Sequence, residues 1–145
     1  MIKVVMVVGV ASVFFLTWYV SDVRRLTRDF SAATPFTGAV VETLVRFALA
    51  QYRARCSIGA NSEGLYMAPS PANRKWYHPG YHTVITPLFI PWTALEYHTA
   101  GMPLGNHIRF DVPSLRIGLS PVCFFIPRRD VEPLLASVGR QVSPG

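Results

Sequence analysis

Residues 51–67 read QYRARCSIGANSEGLYM, and this stretch decides the fold that the sequence predicts. In its first half, every second residue is apolar or aromatic: Tyr52, Ala54, Cys56 and Ile58. Such an alternation is typical of a strand with one buried face. Residues 59–64 supply turn-forming residues, and Leu65, Tyr66 and Met67 begin a second strand. The stretch therefore predicts a β-hairpin.

Short strands and one helix follow this hairpin. Strands are expected at Val84–Ile90, Trp92–Tyr97, Ile108–Val112, Leu115–Leu119 and Val122–Ile126. Pro87 makes the first of these an edge or interrupted strand, and Pro113 is the expected turn of a hairpin. Apolar residues then recur at helical spacing, between a possible N-cap at Asp130 and a stop at Gly139. They are Val131, Leu134, Leu135 and Val138.

This order of elements predicts the fold class. We expect a mainly-β domain over residues 51–139, built as a small antiparallel barrel or sandwich and closed by a C-terminal α-helix. Residues 140–145 are then a tail. The chain has 145 residues, enough for one such domain. Half of its residues are apolar, 15% are charged and the mean hydropathy is +0.29, which excludes a disordered chain.

An uncharged run occupies the N-terminus. From Val4 to Val20 no residue carries a charge, and as a helix this run would span roughly 26 Å, close to the ~30 Å of a bilayer core. Trp18 and Tyr19 suit a membrane interface and do not suit a signal-peptidase site, which needs small residues. We therefore expect residues 1–21 to form an uncleaved transmembrane anchor.

Cations flanking this run predict its orientation. Lys3 precedes the run, whereas Arg24, Arg25 and Arg28 follow it, so the positive-inside rule places the C-terminal domain in the cytoplasm. The expected location is the bacterial inner membrane, single-pass, with a periplasmic domain as the alternative. The expected membrane-interface residues are Trp18, Tyr19, Arg24 and Arg25.

Residues 22–50 form a juxtamembrane linker in this interpretation. Thr34 can cap a helix and Pro35 can take its first position. Apolar residues recur at Val40, Val41, Leu44, Val45, Phe47 and Ala48, which is also helical spacing. We expect a short amphipathic helix that packs on the domain; the alternative is a helix that lies on the membrane surface.

Three short motifs resemble those of bacterial pleckstrin-homology-like (PH-like) domains. They are CSIGANSEGLYM at residues 56–67, LFIPWTAL at 88–95, and the strand ending in FIP at 125–127 before the final helix. The resemblance covers residues 51–139 and implies seven strands and a C-terminal helix, but no particular activity. Lipid-binding members use cations in the first hairpin loop, and residues 59–64 contain none. Arg53 and Arg55 on the preceding strand could partly substitute for them.

Reactive side chains are sparse. His78 and His82 have the spacing of a helical zinc site, but the Pro-Gly-Tyr between them breaks a helix and no carboxylate lies nearby. The acidic residues occur singly, and no nucleophile elbow or phosphate-binding loop is present. Cys56 and Cys123 are expected to be reduced core thiols, whereas a disulfide would require the opposite topology. We predict no catalytic residue, no metal site and no cofactor.

The most unusual stretch is RKWYHPGYH at residues 74–82. Its cations and loop aromatics could anchor a protein partner, contact a membrane or fold back over the barrel. The predicted contact residues are Arg74, Lys75, Trp76, Tyr77 and Tyr81. A nucleic-acid partner is not expected, because the soluble part carries a net charge of only about +4 and its cations are spread over both faces of strands.

Together these patterns favour a non-catalytic contact protein. The first hypothesis is a single-pass membrane protein whose PH-like domain contacts proteins at the cytoplasmic membrane surface. It would be an accessory or stabilising subunit of a larger assembly, such as a respiratory, photosynthetic or transport complex. The alternative is a sensor that binds anionic lipids at the membrane surface. A small membrane-bound enzyme is the third hypothesis.

Overall fold

The structure, a computed structural model, describes residues 25–47, 52–70, 87–117 and 119–142, with the backbone alone at 52, 53 and 117. The predicted anchor at residues 1–21 and the contact residues in 74–81 lie outside these ranges. Within the described ranges, no helix has the length and apolar character needed to cross a bilayer.

In the described residues, seven antiparallel strands form one curled sheet, a half-barrel, followed by a C-terminal helix. The strands are β1 (Val40–Phe47), β2 (Tyr52–Ala60), β3 (Gly64–Pro69), β4 (Leu88–Pro91), β5 (Glu96–Thr99), β6 (His107–Ile117) and β7 (Ser120–Pro127). The helix α1 is Arg128–Ser137. Their order across the sheet is β4-β3-β2-β1-β7-β6-β5. The expected mainly-β antiparallel domain with a C-terminal helix is therefore confirmed.

The hairpin predicted from residues 51–67 is present as β2 and β3. Ile58 lies opposite Met67 in the register. The side-chain oxygen of Asn61 accepts hydrogen bonds from the backbone N–H groups of Glu63 and Gly64, at 2.8 and 3.0 Å, which closes the turn. A Cβ atom at Gly64 would clash with the carbonyl oxygen of Ile90, so this position has no room for a side chain. Local turn chemistry thus agrees with the pattern of the sequence.

The amphipathic helix predicted to begin at Thr34 is wrong, because residues 34–39 are not helical and Val40–Phe47 is the strand β1. Thr43, Val45 and Phe47 are buried in alternation with more exposed neighbours. β1 pairs with β2 on one side and with β7 on the other, so it is the central strand of the sheet. The sheet therefore includes residues that precede 51, the position at which the sequence predicts that the domain begins. Partner strands on both sides decided the conformation of a segment whose apolar spacing fitted either structure.

The hairpin predicted around Pro113 is also wrong. His107–Ile117 is a single strand, β6, which pairs with β7 along its length. A register irregularity between Val112 and Arg116 accommodates the proline, which has no N–H group for the ladder. The predicted strand Trp92–Tyr97 is divided: Trp92–Ala94 forms a 3-10 turn, and β5 begins at Glu96.

Helix α1 closes the sheet with the predicted apolar face. Val131, Leu134 and Leu135 are buried, and Gly139 follows the helix with a φ of 74°. The predicted N-cap at Asp130 is wrong, because the N-cap is Pro127 and makes no side-chain hydrogen bond. The Asp130 carboxylate instead accepts a hydrogen bond from the Thr43 hydroxyl.

The apolar core fills the concave side of the sheet. Phe110 stacks on Phe124 with ring centroids 5.2 Å apart. Trp92 and Leu135, predicted to be buried, are 6% and 1% exposed. The indole N–H of Trp92 donates to the carbonyl oxygen of Asn61 at 2.8 Å, so the buried ring has a polar partner.

Residues 25–36 pack against the domain, and we call this segment the strap. Residues 25–30 are helical, and Leu26 is fully buried in the core. Ser31 forms an antiparallel bridge with Leu88. At the other end of the strap, Phe36 stacks on Tyr66 at a centroid distance of 4.8 Å. The described part of the predicted linker is therefore attached to the sheet at several points.

Candidate functional site

An open cleft lies where the outer face of β1 meets the junction of β7 and α1. Its volume is about 480 Å³. Three of its lining residues are arginines, and we call it the basic cleft. It is lined by Leu44, Arg46, Asn106, His107, Pro127, Arg128 and Arg129.

The local structure explains why these residues meet. Leu44 and Arg46 alternate with the buried residues of β1, so they lie on the outer face of the sheet. Pro127 ends β7 and caps α1, which brings Arg128 and Arg129 to the first turn of the helix. The backbone N–H of Arg128 donates to the carbonyl oxygen of Asn106 at 2.9 Å, so the start of α1 is held against the turn before β6.

The arginines of the basic cleft differ in how they are neutralised. Arg128 forms an ion pair with Glu132, one turn further along α1, with Nη2 and Oε1 2.5 Å apart. Arg129 is largely exposed, and its Nε lies 3.6 Å from an oxygen of Asp130. Within the described part of the chain, no carboxylate forms an ion pair with Arg46. Positive charge therefore dominates the cleft.

Further cationic residues flank the cleft along the outer face. The register places Arg53 opposite Arg46 and Arg55 opposite Leu44. On the other side, Arg46 lies opposite Phe125, which lies opposite Arg109. We call Arg46, Arg53, Arg55 and Arg109 the cationic row.

Arg109, a member of this row, has a carboxylate partner in Asp111. Its Nε donates to Asp111 at 2.9 Å, and its guanidinium carbon lies 6.0 Å from the centre of the Phe125 ring. The hydrogen bond with Asp111 raises the pKa of Arg109, and this effect exceeds the lowering caused by burial. Arg109 is thus tied to the sheet, whereas Arg46 projects into the cleft.

Two polar groups complete the wall of the cleft. The Nδ1 atom of His107 lies 2.6 Å from Oδ1 of Asn106, a hydrogen bond in which the ring N–H donates. His107 is itself buried. A buried, hydrogen-bonded imidazole fixes the edge of the cleft next to Pro127, so the cleft has one rigid wall.

Most of the predicted contact and interface residues lie outside the described ranges. This applies to Arg74, Lys75, Trp76, Tyr77 and Tyr81, and to Trp18, Tyr19 and Arg24. Arg25 is described, and its Nη1 donates to the carbonyl oxygen of Arg116 at 2.5 Å. The predicted loop meets the described structure at Ser70 and Pro87.

Neither Cys56 nor Cys123 forms a disulfide, and both are buried, as predicted. Burial raises the pKa of the Cys56 thiol to about 12. This thiol is therefore protonated at neutral pH and is a weak nucleophile. His78 and His82 lie outside the described residues. The described residues contain no cluster of His, Cys, Asp and Glu that could hold a metal ion.

No protein-family model, curated protein or solved structure matches the chain. The functional interpretation therefore depends on the residues themselves.

The basic cleft was not among the sites predicted from the sequence. Its residues come from β1, from the turn before β6 and from the start of α1, and Arg46 was assigned to a helix. The alternation of Thr43, Val45 and Phe47 with Leu44 and Arg46 is the one signal that could have placed Arg46 on an outer sheet face. No local pattern relates this strand to residues 127–129.

Proposed function

We propose that this chain is a non-catalytic, single-pass protein of the bacterial inner membrane. Its PH-like domain would contact other proteins at the cytoplasmic surface, as an accessory or stabilising subunit of a larger membrane complex. The uncharged run from Val4 to Val20 supports the anchor. Seven antiparallel strands followed by a C-terminal helix agree with the PH-like resemblance.

The observation that carries the proposal is the chemistry of the basic cleft. Guanidinium groups stay protonated at physiological pH, so they do not act as general bases, but they bind carboxylates through paired hydrogen bonds. Leu44 and Pro127 add an apolar surface beside the charges of Arg46 and Arg129. This combination fits a protein segment that carries acidic residues next to an apolar side chain.

The cationic row, which shares Arg46 with the cleft, also favours an anionic partner. Arg46 and Arg53 occupy directly opposite positions of an antiparallel pair. Like charges at such positions destabilise a sheet. An anionic partner bound at this face of the sheet would offset this cost, so partner binding and domain stability should be coupled.

Co-purification of the full chain from membranes in mild detergent, with mass spectrometry of the bound proteins, tests the proposal. We expect the Arg46→Ala/Arg129→Ala variant to lose a specific membrane-complex partner that the wild-type chain retains. Arg28→Ala is the matched control, because Arg28 is an exposed arginine outside the cleft. An unchanged set of partners in the double variant would contradict the assignment of the cleft.

The cationic row also favours the second candidate, a sensor of anionic lipids. A lipid-binding protein should depend on Arg74 and Lys75, because each cation near a membrane contributes about 1 kcal/mol and is screened by salt. A protein-binding loop should depend on Trp76 and Tyr77, at a cost of about 2 kcal/mol or more with little effect of salt.

Two double variants of the full chain separate these candidates, Arg74→Ala/Lys75→Ala and Trp76→Ala/Tyr77→Ala. Each is compared at low and high salt for partner co-purification and for hydrogen exchange in vesicles with and without phosphatidylglycerol. We expect the aromatic pair to reduce co-purification and the basic pair to leave it intact. The reverse pattern, with lipid-dependent protection lost at high salt, would favour the sensor.

A further inference from the structure

The strap is attached at the end of the sheet where β6 finishes and β4 begins. Its first described residue, Arg25, donates to the carbonyl oxygen of Arg116 at 2.5 Å. Further along, the backbone N–H of Ala32 donates to the carbonyl oxygen of Pro87 at 2.8 Å. Between these bonds, Leu26 is fully buried in the core. The point at which the chain enters the domain is therefore fixed.

Chain length limits how far this point lies from the predicted anchor. Arg25 follows Val20 by five residues, and five residues of fully extended chain reach at most roughly 18 Å. As a helix, the same five residues would span roughly 7.5 Å. If the uncharged run spans the bilayer, Arg25 and Arg116 lie within this distance of its cytoplasmic surface.

The β6–β7 turn at this end exposes an apolar side chain. Leu119 is 95% exposed. The Arg116 side chain reaches the carbonyl oxygen of Leu119 at 3.4 Å, so a cation flanks the tip of the turn. Together with Arg25 of the strap, this end presents an exposed leucine beside two arginines. That is the composition of a surface that inserts an apolar residue below lipid phosphates.

We infer that the β6–β7 turn docks on the lipid bilayer, with Leu119 entering the interface and Arg116 and Arg25 at the level of the headgroups. The inference rests on the proposed transmembrane anchor and adds an orientation of the domain. The basic cleft is at the opposite ends of β6 and β7, next to His107 and Pro127. In this orientation it faces away from the membrane and is open to a protein partner.

A pair of fluorescent labels tests this orientation in the full-length chain. The variants are Leu119→Cys and Met102→Cys, each carrying an environment-sensitive dye. Met102 is the matched control, because it is 89% exposed and lies in the connection between β5 and β6, at the opposite end of β6 from Leu119. The native Cys56 and Cys123 are buried, so under native conditions the label goes to the introduced thiol.

The labelled proteins are reconstituted in vesicles of phosphatidylcholine and phosphatidylglycerol, with and without bromine-labelled acyl chains. We expect a blue-shifted emission at position 119 that brominated lipids quench, and a water-like, unquenched emission at position 102. Equal emission and quenching at the two positions would overturn the inference. The same result is expected if a protein partner, and not lipid, covers Leu119, and in that case too the inference is overturned.

Vesicle flotation under alkaline extraction separates this result from a failure of the anchor. Protein that floats but shows no contrast between the labels retains its anchor and lacks the proposed orientation. Protein that is extracted by alkali lacks a transmembrane anchor, which overturns both proposals.

Discussion

The hydroxyl of Thr43 donates a 2.7 Å hydrogen bond to the Asp130 carboxylate, 87 positions further along the chain. Thr43 lies on the inner face of the central strand and is buried. Asp130 lies in the first turn of α1. This bond therefore ties the closing helix directly to the middle of the sheet.

Thr43→Val should destabilise the domain by about 1.5–3 kcal/mol, because the shape of the side chain is kept while a charged acceptor loses its donor. The measurement is thermal unfolding of the full chain in mild detergent, followed by near-ultraviolet circular dichroism. Thr93→Val is the control, since Thr93 is exposed in the 3-10 turn. Equal stability of the two variants would show that the bond contributes little.

Truncation of Trp92 or Leu135 to alanine should each cost about 2–5 kcal/mol, because both side chains are buried in the core and their removal leaves a cavity. Met102→Ala, at an exposed position, should change the free energy of unfolding by less than about 0.5 kcal/mol. Unfolding in urea measures all three variants. Losses below about 0.5 kcal/mol at both buried positions would contradict the packing of the 3-10 turn and α1 against the sheet.

Cys56 should make the stability of the domain depend on alkaline pH. Burial raises the pKa of its thiol from 9.0 to about 12, so between these values the unfolded chain releases a proton that the folded chain keeps. The contribution of this thiol to stability is then fully present below pH 9. As the pH rises from 9.0 towards about 12, the free energy of unfolding falls by about 1.4 kcal/mol per pH unit.

Comparison of the wild-type chain with Cys56→Ala isolates this effect. The alanine variant loses packing at every pH. The informative quantity is therefore how the difference in unfolding free energy between the two proteins changes from about pH 8 to about pH 10. We expect the wild-type chain to lose about 1.4 kcal/mol more than the variant over this interval. Parallel stability curves would show that the thiol of Cys56 has an ordinary pKa.

Residues 29 onward should face the cytoplasm. A fluorescent protein fused after Gly145 should then be bright, and alkaline phosphatase fused at the same place should be inactive. The physical reason is the excess of arginine at positions 24, 25 and 28 over the single Lys3 before the apolar run. Active phosphatase with a dark fluorescent protein would reverse the topology.

Elements whose conformation is determined locally were predictable from the sequence. The β2–β3 hairpin combines strict alternation with the turn residue Asn61, and the apolar face of α1 follows from Val131, Leu134 and Leu135. In both elements the period of the pattern and the flanking turn or stop residues agree.

Elements whose conformation depends on distant partners were not predictable. The apolar spacing of β1 fits a helix as well as a strand, and pairing with β2 and β7 decides between them. Pro113 suggests a turn, yet a bulge in β6 absorbs it. The basic cleft depends on the same long-range pairing, because it brings Arg46 next to residues 127–129.

The central position of β1 also affects how the chain can fold. β1 to β4 form one run of neighbouring strands and β5 to β7 another, and the pairing of Arg46 with Phe125 and of Phe47 with Phe124 joins them. Until β7 has been synthesised, one edge of β1 has no partner strand, so its backbone groups on that edge are unpaired. The apolar residues on the inner face of β1 are also exposed at this stage. Such an edge is a template for pairing with other chains. Completion of the sheet late in synthesis makes nascent and C-terminally truncated forms of this protein the species most prone to aggregation.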